Sequence, residues 1–265
     1  MPSLEIFILE DCNFMNQKIL SISAPQLNTL KMDGNSLESI VIFAPKLVYF
    51  EIHSASPVSI MFDDNEKSID DAIIDTRLAS YKSFIQMINM LKHARYLNFS
   101  SCFLSSFFEE LEKHGSILKN IQSPFHNLKW LKIETDFCTN GIIFINNLLK
   151  HSPQIGTVIL VNILEQKKYS LPSVYQAGTN NVWFDYKVSR LKLVEMKGFR
   201  GSANEMKLVK HFLKNAKVIE KLIIMVAKFD EHSSKSNKEM MKLGRKLLTY
   251  PRASSTVGIL FFQDM

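Results

Sequence analysis

Glycine and proline are scarce in this chain, nine and eight among 265 residues. That scarcity excludes collagen-like, linker-dominated and glycine-looped architectures. Cysteine is scarcer still: Cys12, Cys102 and Cys138 are odd in number, far apart and without a CxxC pair. A disulfide framework is therefore not expected, and a reducing compartment is the default. Long apolar runs are missing too. The longest, such as Ile40 to Ala44 and Val257 to Phe262, fall far short of a membrane span. Residues 1–12 carry Glu5, Glu10 and Asp11 and no basic leader, so no signal peptide is expected. The sequence reads as that of a soluble protein of the cytoplasm, the nucleus or both, with no membrane partner.

Catalytic signatures are missing as well. There is no GxSxG, GxGxxG, P-loop or HExxH. The seven histidines are scattered, and the spacing of Cys102 and His114 does not single them out as a nucleophile and its base. Asp63, Asp64, Glu66, Asp70, Asp71 and Asp75 form an acidic stretch without the alternating ligands and central glycine of a calcium loop. It reads as a solvated insertion. No catalytic residue, metal ligand or cofactor site is expected.

What is present is enough apolar material for a core: 46% of residues are hydrophobic, with 19 Phe and 12 Met, against 22% charged. Charge divides unevenly along the chain. Residues 1–189 hold 16 Lys and Arg against 19 Asp and Glu, whereas residues 190–265 hold 16 against 7. That asymmetry points to two modules, 1–188 and 189–265.

The main signal is a repeat. Ala24-Pro25-Gln26-Leu27-Asn28-Thr29-Leu30-Lys31-Met32 returns twenty residues later as Ala44-Pro45-Lys46-Leu47-Val48-Tyr49-Phe50-Glu51-Ile52. The shared form, apolar-x-x-apolar-x-apolar, recurs at Leu128/Leu131/Ile133, Leu191/Val194/Met196 and Ile219/Leu222/Ile224, and its end recurs at Leu97/Phe99. Two apolar residues spaced by two make a short strand with one buried face. Between the later strands lie helical stripes: Phe84, Ile85, Ile88, Leu91; Phe107, Phe108, Leu111; Ile145, Leu148, Leu149; and Val209, Phe212, Leu213, Ala216. Strand and helix alternating at roughly 20 to 35 residues per unit is the signature of an irregular leucine-rich repeat. The expected fold is an α/β solenoid with a parallel concave sheet. A doubly wound domain is the alternative, but it wants longer apolar strands and a Gly-rich ligand turn.

The C-terminal module carries sharper local signals. Gly198 and Gly201 fit a tight turn after the strand that begins at Leu191. Ser202-Ala203-Asn204-Glu205 fits a capping box, which predicts a helix from about Ala203 to about Ala216. Ser236-Asn237-Lys238-Glu239 fits a second, and Pro251 stops the helix that it opens. Lys207, Lys210, Lys214 and Lys217 share one face of the first helix and read as a solvated outer surface.

The run from Leu191 to Gly201, the stretch from Leu208 to Ala216 and the terminal segment from Leu248 to Ser255 resemble the FBD domain that closes plant F-box/FBD/LRR-repeat proteins. Leu37 to Val41 and Ala44 to Leu47 are similar to the repeats of the same family. The resemblance implies a leucine-rich-repeat region over 1–188 closed by an αβ FBD cap over 189–265. It also implies a non-enzymatic module that presents ubiquitination substrates to a cullin-type ligase. Family members begin with an F-box that docks a Skp-type adaptor. No such segment occurs in these 265 residues, and Met1 reads as already inside a repeat, so adaptor binding requires an F-box upstream. The alternative function is a basic nucleic-acid or chromatin-associated protein using the C-terminal module; the lysine stripe lacks the interleaved aromatics that nucleic acid wants.

Aligning the strands on their buried pairs places candidate partner-binding residues on the opposite face. The first column reads Thr29, Tyr49, Tyr96, Trp130, Leu193, with three aromatics in a row, and Glu51, Lys132 and Glu134 lie in the charged margin. Tyr49, Glu51, Tyr96, Trp130, Lys132 and Glu134 are the expected contact residues for a protein ligand. An aromatic centre with a polar rim has the anatomy of a binding hot spot. That a loop or the C-terminal module covers this strip as ordinary core stays open.

Overall fold

The computed structural model describes residues 3–12, 18–34, 37–63, 69–113, 125–163, 186–227 and 235–263. The chain forms two compact units, Met1–Leu128 and Lys129–Met265. The fold is mixed α/β, with all paired strands parallel and five helices among the described residues.

In the first unit a strand occurs about every ten residues: β1 (Ile6–Glu10), β2 (Ile19–Ser23), β3 (Thr29–Asp33), β4 (Ser39–Phe43), β5 (Tyr49–His53) and β6 (Ser59–Phe62). Odd and even strands go to different sheets. β1, β3 and β5 pair in that order, while β2, β4 and β6 make a second, three-stranded sheet. Each twenty-residue turn of chain thus lays one strand in each sheet. The strand–helix alternation expected of the repeat does not apply here, and the physical reason is length. Only residues 34–48 connect β3 to β5, and Ile40 and Ile42 in that span are buried at period two. A helix with its caps and turns does not fit where a five-residue strand does. Phe50 of β5 meets Phe62 of β6 edge to face at 5.7 Å, filling the layer between the sheets.

Helices enter after β7 (Asp71–Asp75), which pairs with β5 and with β8 (Tyr96–Phe99). This corrects the reading of the acidic stretch as an insertion. Asp71 and Asp75 belong to a strand whose Ala72 and Ile74 are buried, while Asp64 and Glu66 lie outside the described residues. α1 (Tyr81–Met90) is capped by Ser80, whose side chain accepts from the Ser83 N–H, and α2 is Ser101–Lys113. Phe84, Phe99, Phe103 and Phe107 stack in series, with Phe99 and Phe103 4.5 Å apart and Phe84 5.4 Å from Phe103.

A turn precedes most strands of the larger sheet and carries the apolar-x-x-apolar motif. The N–H of its fourth residue donates to the C=O of its first at Ala24–Leu27, Ala44–Leu47, Leu91–Ala94 and Phe125–Leu128. The carbonyl just before each strand then accepts two N–H groups from the next: Val48 and Tyr49 on Asn28, Asp70 and Asp71 on Val48, Arg95 and Tyr96 on Asp70. This repeated pairing satisfies backbone groups that the turn would otherwise bury unmatched.

The second unit stacks β9 (Trp130–Thr135), β10 (Thr157–Asn162), β11 (Leu193–Phe199), β12 (Lys221–Val226) and β13 (Gly258–Gln263) in chain order. Its helices are α3 (Thr139–Lys150), α4 (Ala203–Asn215) and α5 (Lys235–Leu248). Leu131, Ile133, Val158, Leu160, Val194, Met196, Leu222 and Ile224 form the buried strand face. The first capping box is present with both arms: the Ser202 hydroxyl accepts from the Glu205 N–H, and the Glu205 carboxylate accepts from the Ser202 N–H. The second is displaced. α5 already begins at Lys235, so Ser236 lies within the helix and its side chain outside the described residues.

Gly198 and Gly201 both adopt positive φ, 64° and 73°. A Cβ on Gly198 would sit 2.9 Å from the Asn162 carbonyl oxygen. The unit does not end in a closing cap as expected. β13 continues the sheet in register with β12, among the described residues no strand pairs with its other edge, and its Leu260 and Phe262 stay exposed.

Candidate protein-recognition surfaces

In each unit the strand face opposite the core is where sequence reasoning places a site. On the first unit the outer columns read Thr29, Tyr49, Asp71, Tyr96 and then Lys31, Glu51, Ile73, Asn98. Tyr49 and Tyr96 are therefore not neighbours, because β7 puts Asp71 between them. Tyr49 is half-buried and Tyr96 is 48% exposed.

Glu51 is the hub of this face. Its Oε2 accepts from the Tyr49 hydroxyl at 2.6 Å and lies 3.1 Å from the Lys31 ammonium, while its Oε1 lies 3.0 Å from His53 Nε2. His53 Nδ1 reaches Asp75 Oδ2 at 3.2 Å. Lys31 also sits 5.2 Å from the centre of the Tyr49 ring. Partial burial alone would raise the Glu51 pKa, but bonds from Tyr49, His53 and Lys31 outweigh it and hold it at about 2. Burial would lower His53; its bonds to Glu51 and Asp75 prevail and raise it. Burial, then the bond to Glu51, keeps the Tyr49 phenol protonated well above its ordinary range. Asp71 is raised chiefly by burial, and its Oδ1 is shielded from solvent with no hydrogen-bond partner.

The second unit carries the other expected residues on one strand. Trp130, Lys132 and Glu134 alternate along the outer face of β9, all half-buried, with Lys132 2.9 Å from Glu134. Trp130 is beside Thr157 of β10 rather than Leu193, because Thr157–Asn162 intervenes. Outer positions further along mix apolar residues, Ile159, Val161, Leu193, Ile223, Met225, Leu260 and Phe262, with Thr157, Lys221 and the ion pair of Glu195 and Lys197. Lys207, Lys210, Lys214 and Lys217 are all exposed.

Sequence reasoning missed Asp71, Asp75 and Ile73 of β7 and the outer residues of β10. The available signals were the alternation Asp71-Ala72-Ile73-Ile74-Asp75 and the repeat motif at Ile155/Val158/Leu160.

No reactive thiol emerges from the geometry of Cys138. Its sulfur caps α3 by accepting from the Gly141 N–H at 3.4 Å, and burial, then Asp136, pushes the thiol up to about 12. Cys102 is exposed, and His114 lies outside the described residues. Among the described residues no group of three His, Cys, Asp or Glu side chains could hold a metal ion, and no helix is long and apolar enough to cross a membrane.

Among the described residues the parallel strands, several preceded by the same turn, define a mixed α/β protein with a large parallel sheet whose outer face carries the candidate residues. Comparison with known proteins narrows this class. The FBD family profile matches residues 188–224. An FBD-associated F-box protein of Arabidopsis thaliana is 24% identical over 98% of the chain and 53% of its own length. An F-box/FBD/LRR-repeat protein of the same plant is 24% identical over 99% of the chain and 57% of its own length. A second FBD-associated F-box protein is 21% identical over 92% and 53%. The chain is thus related, at low identity over nearly its whole length, to plant F-box/FBD/LRR-repeat proteins, and it carries an FBD segment. It spans about half the length of these relatives. No solved structure matches it significantly.

Proposed function

We propose that the chain is a non-enzymatic protein-recognition module, corresponding to the substrate-binding part of an F-box subunit of a cullin-type ubiquitin ligase. In this reading residues 1–188 are an irregular leucine-rich-repeat region and 189–265 an FBD domain, together acting in the cytoplasm or nucleus. The observation that carries it is the outer face of the strands, where side chains with binding chemistry stand half-buried or exposed opposite the core. Tyr49, Glu51 and Tyr96 on one unit and Trp130, Lys132 and Glu134 on the other are the contact residues. Relatedness to F-box/FBD/LRR-repeat proteins supports the setting, and a Skp-type adaptor joins only through an F-box segment.

The test is proximity labelling in plant cells with the chain fused to an F-box, under proteasome inhibition. A protein that accumulates, is labelled, and binds the purified chain directly would support the reading. Its binding must be lost on Tyr96→Ala or Trp130→Ala in a folded protein. Binding that survives both substitutions overturns the site assignment. Affinity for nucleic acid that collapses with salt, without any protein ligand, would favour the basic C-terminal module instead.

A further inference from the structure

We infer that the open edge of β13, with the flank of α5 beside it, takes one added β-strand from a partner protein, an apolar run flanked by acidic residues. The site is separate from the contact residues proposed above and stands without them.

The backbone of β13 can accept a further strand. The Gly258 N–H donates to the Glu220 C=O at 2.9 Å, on the β12 side. Successive residues of a strand turn their N–H and C=O to opposite sides. Ile259, Phe261 and Gln263 therefore turn theirs to the other edge, where no described strand pairs. The usual edge protections are missing: residues 257–263 hold no charge and no proline, and β13 pairs with β12 without a register shift.

Side chains along that edge are short of cover on both faces. Ile259 and Phe261 are only half-buried, although their register partners Leu222 and Ile224 are fully buried. Leu260 and Phe262, on the other face, are exposed. α5 lies against β13, since a Cβ on Gly244 would stand 3.4 Å from the Phe261 ring, and its Leu243 turns inward to Gly201 ahead of α4. At about 100° per residue, Met241 and Leu248 fall on the opposite flank, past β13, and both are 62% exposed. A strand added at β13 lies beside this flank, alternate side chains meeting Met241 and Leu248 and the others Leu260 and Phe262. Both of its faces therefore want apolar residues.

Charge selects the occupant. Arg245, four residues after Met241 and three before Leu248, borders the same flank. Arg245, Lys242 and Lys246 are exposed and form no ion pair among the described residues. The described acids beyond residue 189 are already engaged: Glu195 with Lys197, Glu220 with Lys192, and buried Glu205 with Asn162 and Ser202. Were every remaining acid of residues 190–265 paired, 16 Lys and Arg against 7 Asp and Glu would still leave cations over. A second copy added across β13 sets this basic helix against itself, whereas acidic residues flanking an apolar run are attracted to it.

The experiment is fluorescence anisotropy on the full chain with three labelled nonapeptides. The first has a five-residue Val/Ile core between two Asp-Glu pairs. The second has the same core between two Lys pairs, and the third is the first with every core amide N-methylated. The proposal expects the acid-flanked peptide to bind, weakening as salt rises, and the N-methylated peptide to lose binding. Arg245→Gln should weaken binding about fivefold, and Met241→Ser should weaken it as well, both with urea midpoints close to the parent's. Equal binding of the N-methylated peptide overturns strand addition. Equal or tighter binding of the Lys-flanked peptide, or indifference to Arg245→Gln, overturns the acidic chemistry. Indifference to Met241→Ser removes α5 from the site, and binding of none overturns it altogether. A concentration-dependent dimer abolished by Phe262→Ala assigns the edge to a second copy. A single-stranded oligonucleotide that displaces the peptide assigns it to nucleic acid; either result overturns the proposal.

Discussion

The side-chain amide of Asn162, at the end of β10, donates to the Glu205 carboxylate in the first turn of α4 at 2.9 Å, across 43 positions of sequence. Glu205 is fully buried, and it also accepts from the Ser202 N–H at 2.7 Å and the Arg200 N–H at 3.2 Å. One carboxylate therefore ties a strand, a turn and a helix start together. Glu205→Ala removes three hydrogen bonds to a buried carboxylate and should cost about 3 kcal/mol. Ser202→Ala removes one capping bond and should cost about 1 kcal/mol. Urea unfolding of the two variants checks the order; equal costs would contradict the hub role of Glu205.

The turn feeding that helix depends on two glycines. Gly198→Ala combines a strained φ with a Cβ 2.9 Å from a backbone oxygen. At Gly201 the Cβ would meet the Leu243 Cδ2 at 2.5 Å, a side-chain end that can move aside. Both substitutions should destabilise by at least about 1 kcal/mol, with Gly198→Ala the worse because a carbonyl cannot rotate away. Comparing thermal midpoints of the two variants tests the ranking.

The Glu51 cluster makes stability depend on pH in two opposite senses. Glu51 is held at about 2, below the unfolded carboxylate value of about 4.3. Its contribution is present above about pH 4.3 and lost as pH falls toward 2. His53 is raised, so its contribution is complete below about pH 6.5 and lost as pH rises through the folded value. Glu51→Gln should flatten the acid limb of a urea-midpoint profile. His53→Gln should cost stability in mildly acidic buffer and progressively less as the buffer becomes alkaline.

In the proposed reading, recruitment is separable from recognition. The 265 residues contain no F-box signature, so the purified chain should give no complex with a Skp-type adaptor on size exclusion, whereas an N-terminal F-box fusion should. A stoichiometric complex with the unfused chain would refute this.

Legibility of the fold in the sequence followed the locality of the forces. β3 and β5 stood out because the same turn and the same buried pair recur twenty residues apart. The start of α4 stood out because a capping box is a four-residue event. β7 did not, since one of its two core residues is the small Ala72 and its ends are Asp71 and Asp75; neighbouring β5 and β8 supply the ladder that makes it a strand. The even-numbered strands were hidden by the same twenty-residue repeat, whose brevity is what excludes helices. The contact between Asn162 and Glu205 has no local signature at all. At the candidate site, missing β7 turned an aromatic–carboxylate–aromatic row into an apparent run of aromatics.

Whether the outer row is binding surface or hidden core is decided by two residues on one strand. Tyr96 and Phe99 sit three apart on β8, pointing to opposite faces. Phe99 is fully buried and stacked on Phe103 at 4.5 Å, so Phe99→Ala opens a cavity beneath the aromatic series and should cost about 3 to 5 kcal/mol. Tyr96 is 48% exposed, and Tyr96→Ala should stay within about 1 kcal/mol, as surface substitutions do. If the outer face were covered as core in solution, Tyr96→Ala would approach the cost of Phe99→Ala. Urea midpoints of the two variants separate the cases: a near-neutral Tyr96→Ala leaves its ring available to a partner, and a costly one removes it from the site.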